Sequence, residues 1–156
     1  MAKFVIIMGS ASDLAFAREI EEVAKKFGIQ CELRVASAHK TPEKVLTIIK
    51  ENEEKEIVYI TIAGGSNALS GFVDANTTKP VIAAPPNSDK YGEMDIFSSL
   101  RMPSGVAPLV VLGAEQAAIS AVKILGLNNK KLQEEIFKYQ KNYKDKIEKE
   151  DKKLNG

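Results

Sequence analysis

The sequence contains a single histidine, His39, which lies in residues 37–42 directly before Lys40. Histidine is the side chain whose ordinary pKa suits proton transfer near neutral pH, and lysine can pair with a phosphate as a point charge. A lone histidine is more often structural than catalytic, and a lone lysine is commonly a solvated surface residue. Residues 37–42 lie between a predicted strand and a predicted helix, at the place where an α/β sheet binds ligands. This position favours a proton-transfer role for His39.

Small and polar residues also follow the first apolar run of the chain, in residues 9–13. Ser10 and Ser12 offer hydroxyl groups, and backbone N–H groups at the start of a helix form a ready anion site. Asp13 would repel a phosphate at close range, so we expect it to accept hydrogen bonds from sugar hydroxyls. The alternative is a plain helix cap made by Ser12 or Asp13. The pattern matches neither a dinucleotide-binding glycine motif nor a Walker loop.

Paired glycines mark a third candidate segment, residues 63–71. Gly64 and Gly65 let the backbone approach a ligand closely. Ser66 and Asn67 offer polar contacts to a base or a carboxylate. The alternative is a tight turn followed by a helix cap at one of the serines. A fourth segment, residues 85–92, begins with two prolines and continues with polar residues, which suits a wall or a lid.

Alternating strands and helices must position these four segments. Apolar runs predict strands at residues 4–8, 29–35, 57–63, 81–84 and 109–112. Helical spacing and caps predict helices at residues 13–27, from Thr41 and Pro42 onward, at 94–101 and at 115–125. This order is typical of an α/β protein with a doubly wound parallel sheet of about five strands. Such sheets bind ligands at the carboxyl ends of their strands, where all four segments lie.

The last part of the chain, residues 127–156, differs from the single domain predicted for residues 1–126. Its apolar residues recur every three or four positions and form a narrow stripe on a charged helix: Leu132, Ile136, Tyr139, Tyr143 and Ile147. We expect this helical tail to serve oligomerisation by packing on another subunit, because little of its own domain remains to be covered. The alternative is docking on its own domain. The mixed signs of its charges disfavour a calmodulin-type or membrane helix.

The composition excludes several functional classes. The chain has 156 residues, 44% of them hydrophobic and 28% charged, with a net charge of +1. This balance fits one globular domain without a field that attracts nucleic acid or a membrane. The N-terminal apolar run is too short for a signal peptide or a spanning helix, and the single Cys31 permits no internal disulfide. We therefore expect a cytoplasmic protein.

One histidine and one cysteine give no recognisable metal-ligand cluster, and no catalytic triad or Cys–His pair is evident. From the residues alone, the chain is predicted to be an α/β protein that binds a phosphorylated small molecule and carries one candidate acid/base.

Residues 9–13 followed by residues 37–42 resemble the PurE family. The family comprises phosphoribosylaminoimidazole carboxylase and its relative N5-carboxyaminoimidazole ribonucleotide mutase. The resemblance runs from about Phe4 to Leu125, and the helical tail is also typical. It implies a three-layer Rossmann-like fold of the flavodoxin kind and a homo-octamer whose C-terminal helices pack on neighbouring subunits. It also implies an active site without metal, biotin or ATP, and hence no cofactor.

The resemblance also implies roles for individual residues. Ser10, Ser12 and Asp13 would hold the ribose phosphate part of the substrate. Ser37 and Lys40 would bind phosphate, and His39 would transfer the proton. The backbone of residues 64–66 would then be placed to hold a carboxylate.

The third segment separates the two branches of the family. The mutase branch carries a second histidine there, which this chain lacks, and usually has arginine where Lys40 stands. Residues 85–86 and 98–105 also resemble the carboxylase branch. The resemblance therefore implies a carboxylase that adds CO2 to 5-aminoimidazole ribonucleotide in purine biosynthesis. The alternatives are the mutase and a non-catalytic nucleotide-binding module that would not need His39.

Overall fold

Strands and helices alternate along the chain in the computed structural model, which describes residues 3–155. The strands are β1 (Lys3–Met8), β2 (Gln30–Val35), β3 (Ile57–Ile62), β4 (Val81–Ala83) and β5 (Leu109–Val110). The α-helices are α1 (Leu14–Lys26), α2 (Pro42–Asn52), α3 (Leu69–Asp74), α4 (Phe97–Leu100), α5 (Ala114–Gly126) and α6 (Lys130–Asn155). Short 3₁₀ helices span Ala11–Asp13 and Lys90–Ile96.

The five strands form one parallel sheet in the order β2-β1-β3-β4-β5. This is the doubly wound, flavodoxin-like order, and it confirms the predicted fold class. The chain first moves outward from β1 to β2 and then returns to place β3 on the other side of β1. Met8 pairs with both Val35 and Ile62, so the carboxyl ends of these three strands lie side by side. The direction of winding therefore switches between β1 and β3.

The sheet has an apolar core on each of its two faces. In β1, Phe4, Ile6 and Met8 pack on the face covered by α1 and α5, and the intervening Val5 and Ile7 pack on the face covered by α2 and α3. A central parallel strand is buried on both sides, which explains its continuous apolar sequence.

Two predicted segments differ from the structure. Helix α3 begins inside residues 63–71, where a loop was expected, because the Asn67 side chain accepts the Ser70 backbone N–H and starts a short helix. The helix predicted at residues 94–101 is present over residues 94–100, where the end of the 3₁₀ helix Lys90–Ile96 is followed by the one-turn α4. Before it, Tyr91, Gly92 and Glu93 have φ angles of 57°, 60° and 62°, so the regular helix cannot extend back to Lys90.

The C-terminal helix α6 docks on its own domain along its first half. Leu132 is buried and Ile136 packs against the core, while the Tyr139 ring lies 5.1 Å from that of Phe27. Further along the stripe, Tyr143 and Ile147 are 51% and 63% exposed. The first half thus follows the alternative of docking on its own domain. Among residues 3–155, no helix is long and apolar enough to cross a membrane, α6 included.

Candidate active site

A cleft of about 680 Å³ opens at the carboxyl ends of the strands. Its walls come from the segments that follow β1, β2, β3 and β4, as the topology requires. Its volume lies in the range typical of small-molecule sites. The structure brings eight of the ten predicted site residues together here: Ser10, Ser12, Asp13, Ser37, His39, Gly64, Gly65 and Ser66.

The loop after β1 is folded around Ser10. The Ser10 Oγ accepts the backbone N–H of Ser12 at 3.3 Å and lies 3.0 Å from the Ser12 hydroxyl, which caps the 3₁₀ turn Ala11–Asp13. Asp13 occupies the N-cap position of α1 but makes no side-chain capping bond. The predicted alternative of a cap made by Ser12 or Asp13 is therefore wrong, because Ser10 caps the 3₁₀ turn and no side chain among the described residues caps α1. The Asp13 carboxylate lines the cleft instead.

The environment of Asp13 is electrostatically unusual. Burial raises the pKa of its carboxyl group, and a hydrogen bond from the Ser10 backbone lowers the pKa by a smaller amount. A buried carboxylate prefers to be hydrogen-bonded, so donors such as sugar hydroxyls would compensate for the lost solvation.

His39 lies at the tip of a tight turn between β2 and α2. Two short hydrogen bonds close this turn: the Ser37 N–H donates to Thr41 Oγ1 at 2.9 Å, and the Thr41 N–H donates to the Ser37 carbonyl at 2.8 Å. The Ser37 hydroxyl also accepts the Lys40 N–H at 3.2 Å. Helix α2 starts at Pro42 as predicted, but the Thr41 side chain closes this turn instead of capping the helix. The turn presents the His39 side chain to the cleft.

The cations near the cleft differ from those predicted. Lys40 is exposed and does not line the cleft within the single chain, whereas Lys90, from the segment after β4, does. Three carboxylates also line the cleft, those of Asp13, Glu19 and Asp89. With so little positive charge, binding of an anion would depend mainly on hydroxyl and backbone N–H donors.

Several lining residues were missed by sequence reasoning. Phe16 and Glu19 extend the cleft from the first turns of α1, and their spacing of three places them on one helix face. The segment after β4 contributes Pro86 to Tyr91, which agrees with its predicted role as a wall. The helical spacing of Phe16 and Glu19 was visible in the sequence, but nothing in it distinguished that face from the rest of α1.

Asn67 does not line the cleft. Its side chain is only 4% exposed, and its Nδ2 donates to the hydroxyls of Ser70 and Ser99 at 2.7 and 2.9 Å. Its Oδ1 accepts the Ser70 N–H at 3.2 Å. The Ser70 hydroxyl in turn lies 2.8 Å from that of Thr61 on β3. The predicted contact between Asn67 and a substrate is replaced by a buried network that shapes the glycine loop, defined here as residues 63–67.

The backbone amides of the glycine loop are only partly available. The Gly65 N–H donates to Asp95 Oδ2 at 3.1 Å, and the Asn67 N–H donates to Ser98 Oγ at 2.9 Å. Within the described residues, the N–H groups of Gly64 and Ser66 have no hydrogen-bond partner. These two amides are the candidates for binding an anionic group.

Other reactive groups lie apart from the cleft. Cys31 is half-buried on β2, where burial raises the pKa of its thiol to about 12. Within residues 3–155, no three His, Cys, Asp or Glu side chains are grouped so that they could hold a metal ion.

The fold and the cleft define an α/β protein with a ligand-sized site at the switch point of a flavodoxin-like sheet. Residues 3–146 match the family described as AIR carboxylase. Over 152 residues, the chain is 57% identical to phosphoribosylaminoimidazole carboxylase of Archaeoglobus fulgidus, with 97% of this chain and 84% of that protein covered. It is 45% identical over 152 residues to the protein of the same name from Treponema denticola, with 96% of each covered. The crystal structure of Treponema denticola PurE matches with a TM-score of 0.97 and 44% identity, over 100% of both chains. The chain therefore belongs to the AIR carboxylase, or PurE, family, which confirms the resemblance.

Proposed function

We propose that this protein is a phosphoribosylaminoimidazole carboxylase that converts 5-aminoimidazole ribonucleotide and CO2 to 4-carboxy-5-aminoimidazole ribonucleotide in de novo purine biosynthesis. The observation that carries this proposal is the convergence of the loop after β1 (residues 9–13), the His39 turn and the glycine loop in one cleft. The names of the relatives from Archaeoglobus fulgidus and Treponema denticola support it. The proposal requires no metal, biotin or ATP and locates the enzyme in the cytoplasm.

The cleft offers different groups to the two ends of the substrate. Ser10, Ser12 and Asp13 would hold the ribose phosphate part, with the Asp13 carboxylate accepting from the sugar hydroxyls. Ser37 would bind phosphate from the neighbouring turn. Lys40 is exposed beside Ser37. Its flexible side chain would reorient toward the phosphate and contribute its positive charge. Lys90 lines the same cleft and is a second candidate for that charge.

The reaction consists of one bond formation and one proton transfer. The ring carbon of the aminoimidazole is enamine-like and attacks CO2 when both are held together in the cleft, forming the new C–C bond. That carbon then bears both a hydrogen and a carboxylate, and the ring carries the balancing positive charge. His39 removes the proton, the C–H electron pair restores aromaticity, and the proton passes to solvent. The free N–H groups of Gly64 and Ser66 would stabilise the carboxylate as it forms.

The mutase is the main alternative, since it shares the fold and would also use His39. The chain has no second histidine, whereas the mutase branch carries one in the glycine loop. A carbamate substrate would need its carboxyl group moved from one atom of the substrate to another, while the carboxylase receives CO2 from solution. The absence of a second histidine favours the carboxylase.

The first experiment is a substrate-choice assay on the purified protein without ATP. One reaction contains aminoimidazole ribonucleotide with bicarbonate and CO2, and the other contains freshly made carbamate. We expect product in the first, at a rate that follows dissolved CO2. Turnover restricted to the intact carbamate would make the protein a mutase, and inactivity toward both together with tight substrate binding would support a binding module.

The role of His39 is tested with His39→Asn, which preserves size and polarity but cannot accept the proton. We expect turnover to fall by at least about a hundredfold, the usual contribution of a general base. The matched control is Lys44→Gln, an exposed residue of α2 outside the cleft. If folded His39→Asn retained turnover near that of the control, His39 would not be the base.

We also propose that residues 127–156 form the oligomerisation segment of a homo-octamer. The distal half of α6 supports this, because Ile147 and Leu154 are 63% and 85% exposed within the described residues. Light scattering on the wild type and on Ile147→Glu tests it. Eight chains in the wild type and a smaller species in the variant are expected, and a wild-type monomer would refute the proposal.

A further inference from the structure

The glycine loop is held from behind by residues that do not line the cleft. Asp95 Oδ2 accepts the Gly65 N–H at 3.1 Å. The Ser98 hydroxyl accepts the Asn67 N–H at 2.9 Å and lies 2.7 Å from the Asp95 carbonyl and 3.3 Å from the Gly65 carbonyl. Asp95 belongs to the 3₁₀ turn Lys90–Ile96, and Ser98 belongs to α4, which follows it directly. Side chains about 30 positions away in sequence therefore determine the path of this loop.

The loop needs such support because of its own sequence. Gly65 has a φ of 69°, and two adjacent glycines have more backbone freedom than any other residue pair. A hydrogen bond to an ionised carboxylate is roughly twice as strong as one between neutral groups. The Asp95 carboxylate therefore restrains the backbone at Gly65, together with the Ser98 hydroxyl that contacts the Gly65 carbonyl.

We infer that Asp95 is a positioning residue for the reaction, acting through Gly65 to hold the free amides of Gly64 and Ser66 in the cleft wall. This inference rests on the proposed function, in which those amides stabilise the forming carboxylate. Asp95 is not a catalytic residue, since its side chain does not line the cleft. Its carboxylate lies close behind the loop: a Cβ built on Gly64 would be 3.5 Å from Asp95 Oδ2.

The 3₁₀ turn Lys90–Ile96 connects two walls of the cleft. Lys90 and Tyr91, which precede Asp95, also line the cleft, and the Tyr91 ring is 3.8 Å from the place where a Gly65 Cβ would be. Asp95 therefore fixes the glycine loop relative to the wall that carries Lys90 and Tyr91.

The test compares Asp95→Ala, Asp95→Asn and the matched control Met94→Ala, whose wild-type side chain is 66% exposed. Asp95→Ala removes the acceptor, and we expect kcat to fall about tenfold, the effect of losing one charge-assisted hydrogen bond. The KM for the ribonucleotide should stay within about twofold, because its phosphate and ribose are held by other loops. Asp95→Asn retains an oxygen that accepts the Gly65 N–H, but a neutral acceptor binds about half as strongly, so we expect it to restore part of the lost rate. Met94→Ala should behave like the wild type.

Hydrogen exchange provides a readout that does not depend on turnover. We expect amides of residues 63–68 to exchange faster in Asp95→Ala than in the wild type and in Met94→Ala. If Asp95→Ala fails to fold, Ser98→Ala gives the same measurement, since it removes the acceptor of the Asn67 N–H.

Two results would overturn the inference. One is unchanged exchange in the loop of Asp95→Ala, and the other is an Asp95→Asn variant as slow as Asp95→Ala although its loop exchanges like that of the wild type, which would mean that Asp95 does not act by holding the loop. Wild-type inactivity toward both substrates, combined with faster exchange in Asp95→Ala, would refute the proposed function and leave the support of the loop by Asp95 intact.

Discussion

The clearest prediction concerns Asn67, for which sequence and structure assign different roles. Sequence reasoning made it a substrate contact, whereas the structure buries its side chain, which donates to the hydroxyls of Ser70 and Ser99. The change Asn67→Ala separates these roles, because a substrate contact affects KM and a buried network affects the free energy of unfolding.

The magnitude follows from the hydrogen bonds that are lost. Removing the amide leaves the Ser70 N–H and the Ser99 hydroxyl without a partner. The Ser70 hydroxyl loses its contact with Asn67 but keeps its contact with Thr61. At about 1 kcal/mol for each of these three groups, the free energy of unfolding should fall by about 3 kcal/mol. For a chain of this size, that corresponds to a fall in the thermal midpoint of about 6–12 °C.

The assay is urea or thermal denaturation followed by circular dichroism at one fixed protein concentration, since assembly alters apparent stability. The matched control is Ser66→Ala in the same loop, because the exposed Ser66 side chain makes no hydrogen bond within the described residues. We expect its stability to change by less than about 0.5 kcal/mol. An Asn67→Ala variant with unchanged stability and a large increase in KM would refute the structural role and restore the substrate contact.

Three further predictions test other parts of the molecule. Gly28 ends α1 with a φ of 67°, so Gly28→Ala should cost about 1 kcal/mol and lower the thermal midpoint by about 2–4 °C, and an unchanged midpoint would contradict this. Burial raises the pKa of Asp13, so its ionised form destabilises the folded state. Urea titrations should therefore find Asp13→Asn more stable than the wild type at pH 7. The difference should shrink as the pH falls through the raised pKa and vanish below the ordinary aspartate pKa, and a difference that widened in acid would contradict this. Tyr139→Phe removes a 2.7 Å hydrogen bond to Glu115 and should cost about 1 kcal/mol at pH 7. The hydroxyls of Tyr143 and Tyr139 lower the pKa of Glu115, so this stabilisation is lost as the pH falls through that lowered pKa, and melts of variant and wild type should converge in acid.

Much of the fold could be predicted because its causes are local. The continuous apolar run of β1 and the helical spacing of α1 each reflect the environment that the segment occupies, and all five strands and the long C-terminal helix were recognised in this way. Parallel order then required the segments after the strands to meet at one edge. The location of the cleft and the membership of Ser10, Asp13 and His39 in it follow from that topology.

Loop conformation was decided by contacts between distant residues. Asn67 is bound to Ser99, 32 positions away, and Gly65 to Asp95, 30 positions away, and no periodic pattern indicates such pairs. The lysine of the cleft is a further example: Lys40 was predicted, but Lys90 lines the cleft, and no periodic pattern in the sequence indicates this.

The sequence by itself determined the architecture, the edge of the sheet that carries the site, and the candidate acid/base. Only the tertiary structure decided which polar side chains face the cleft and which are used internally, and how far α6 docks on its own domain. The physical reason is that a hydrophobic pattern records burial along one element, whereas the destination of a polar side chain depends on the partners that folding brings within hydrogen-bond distance.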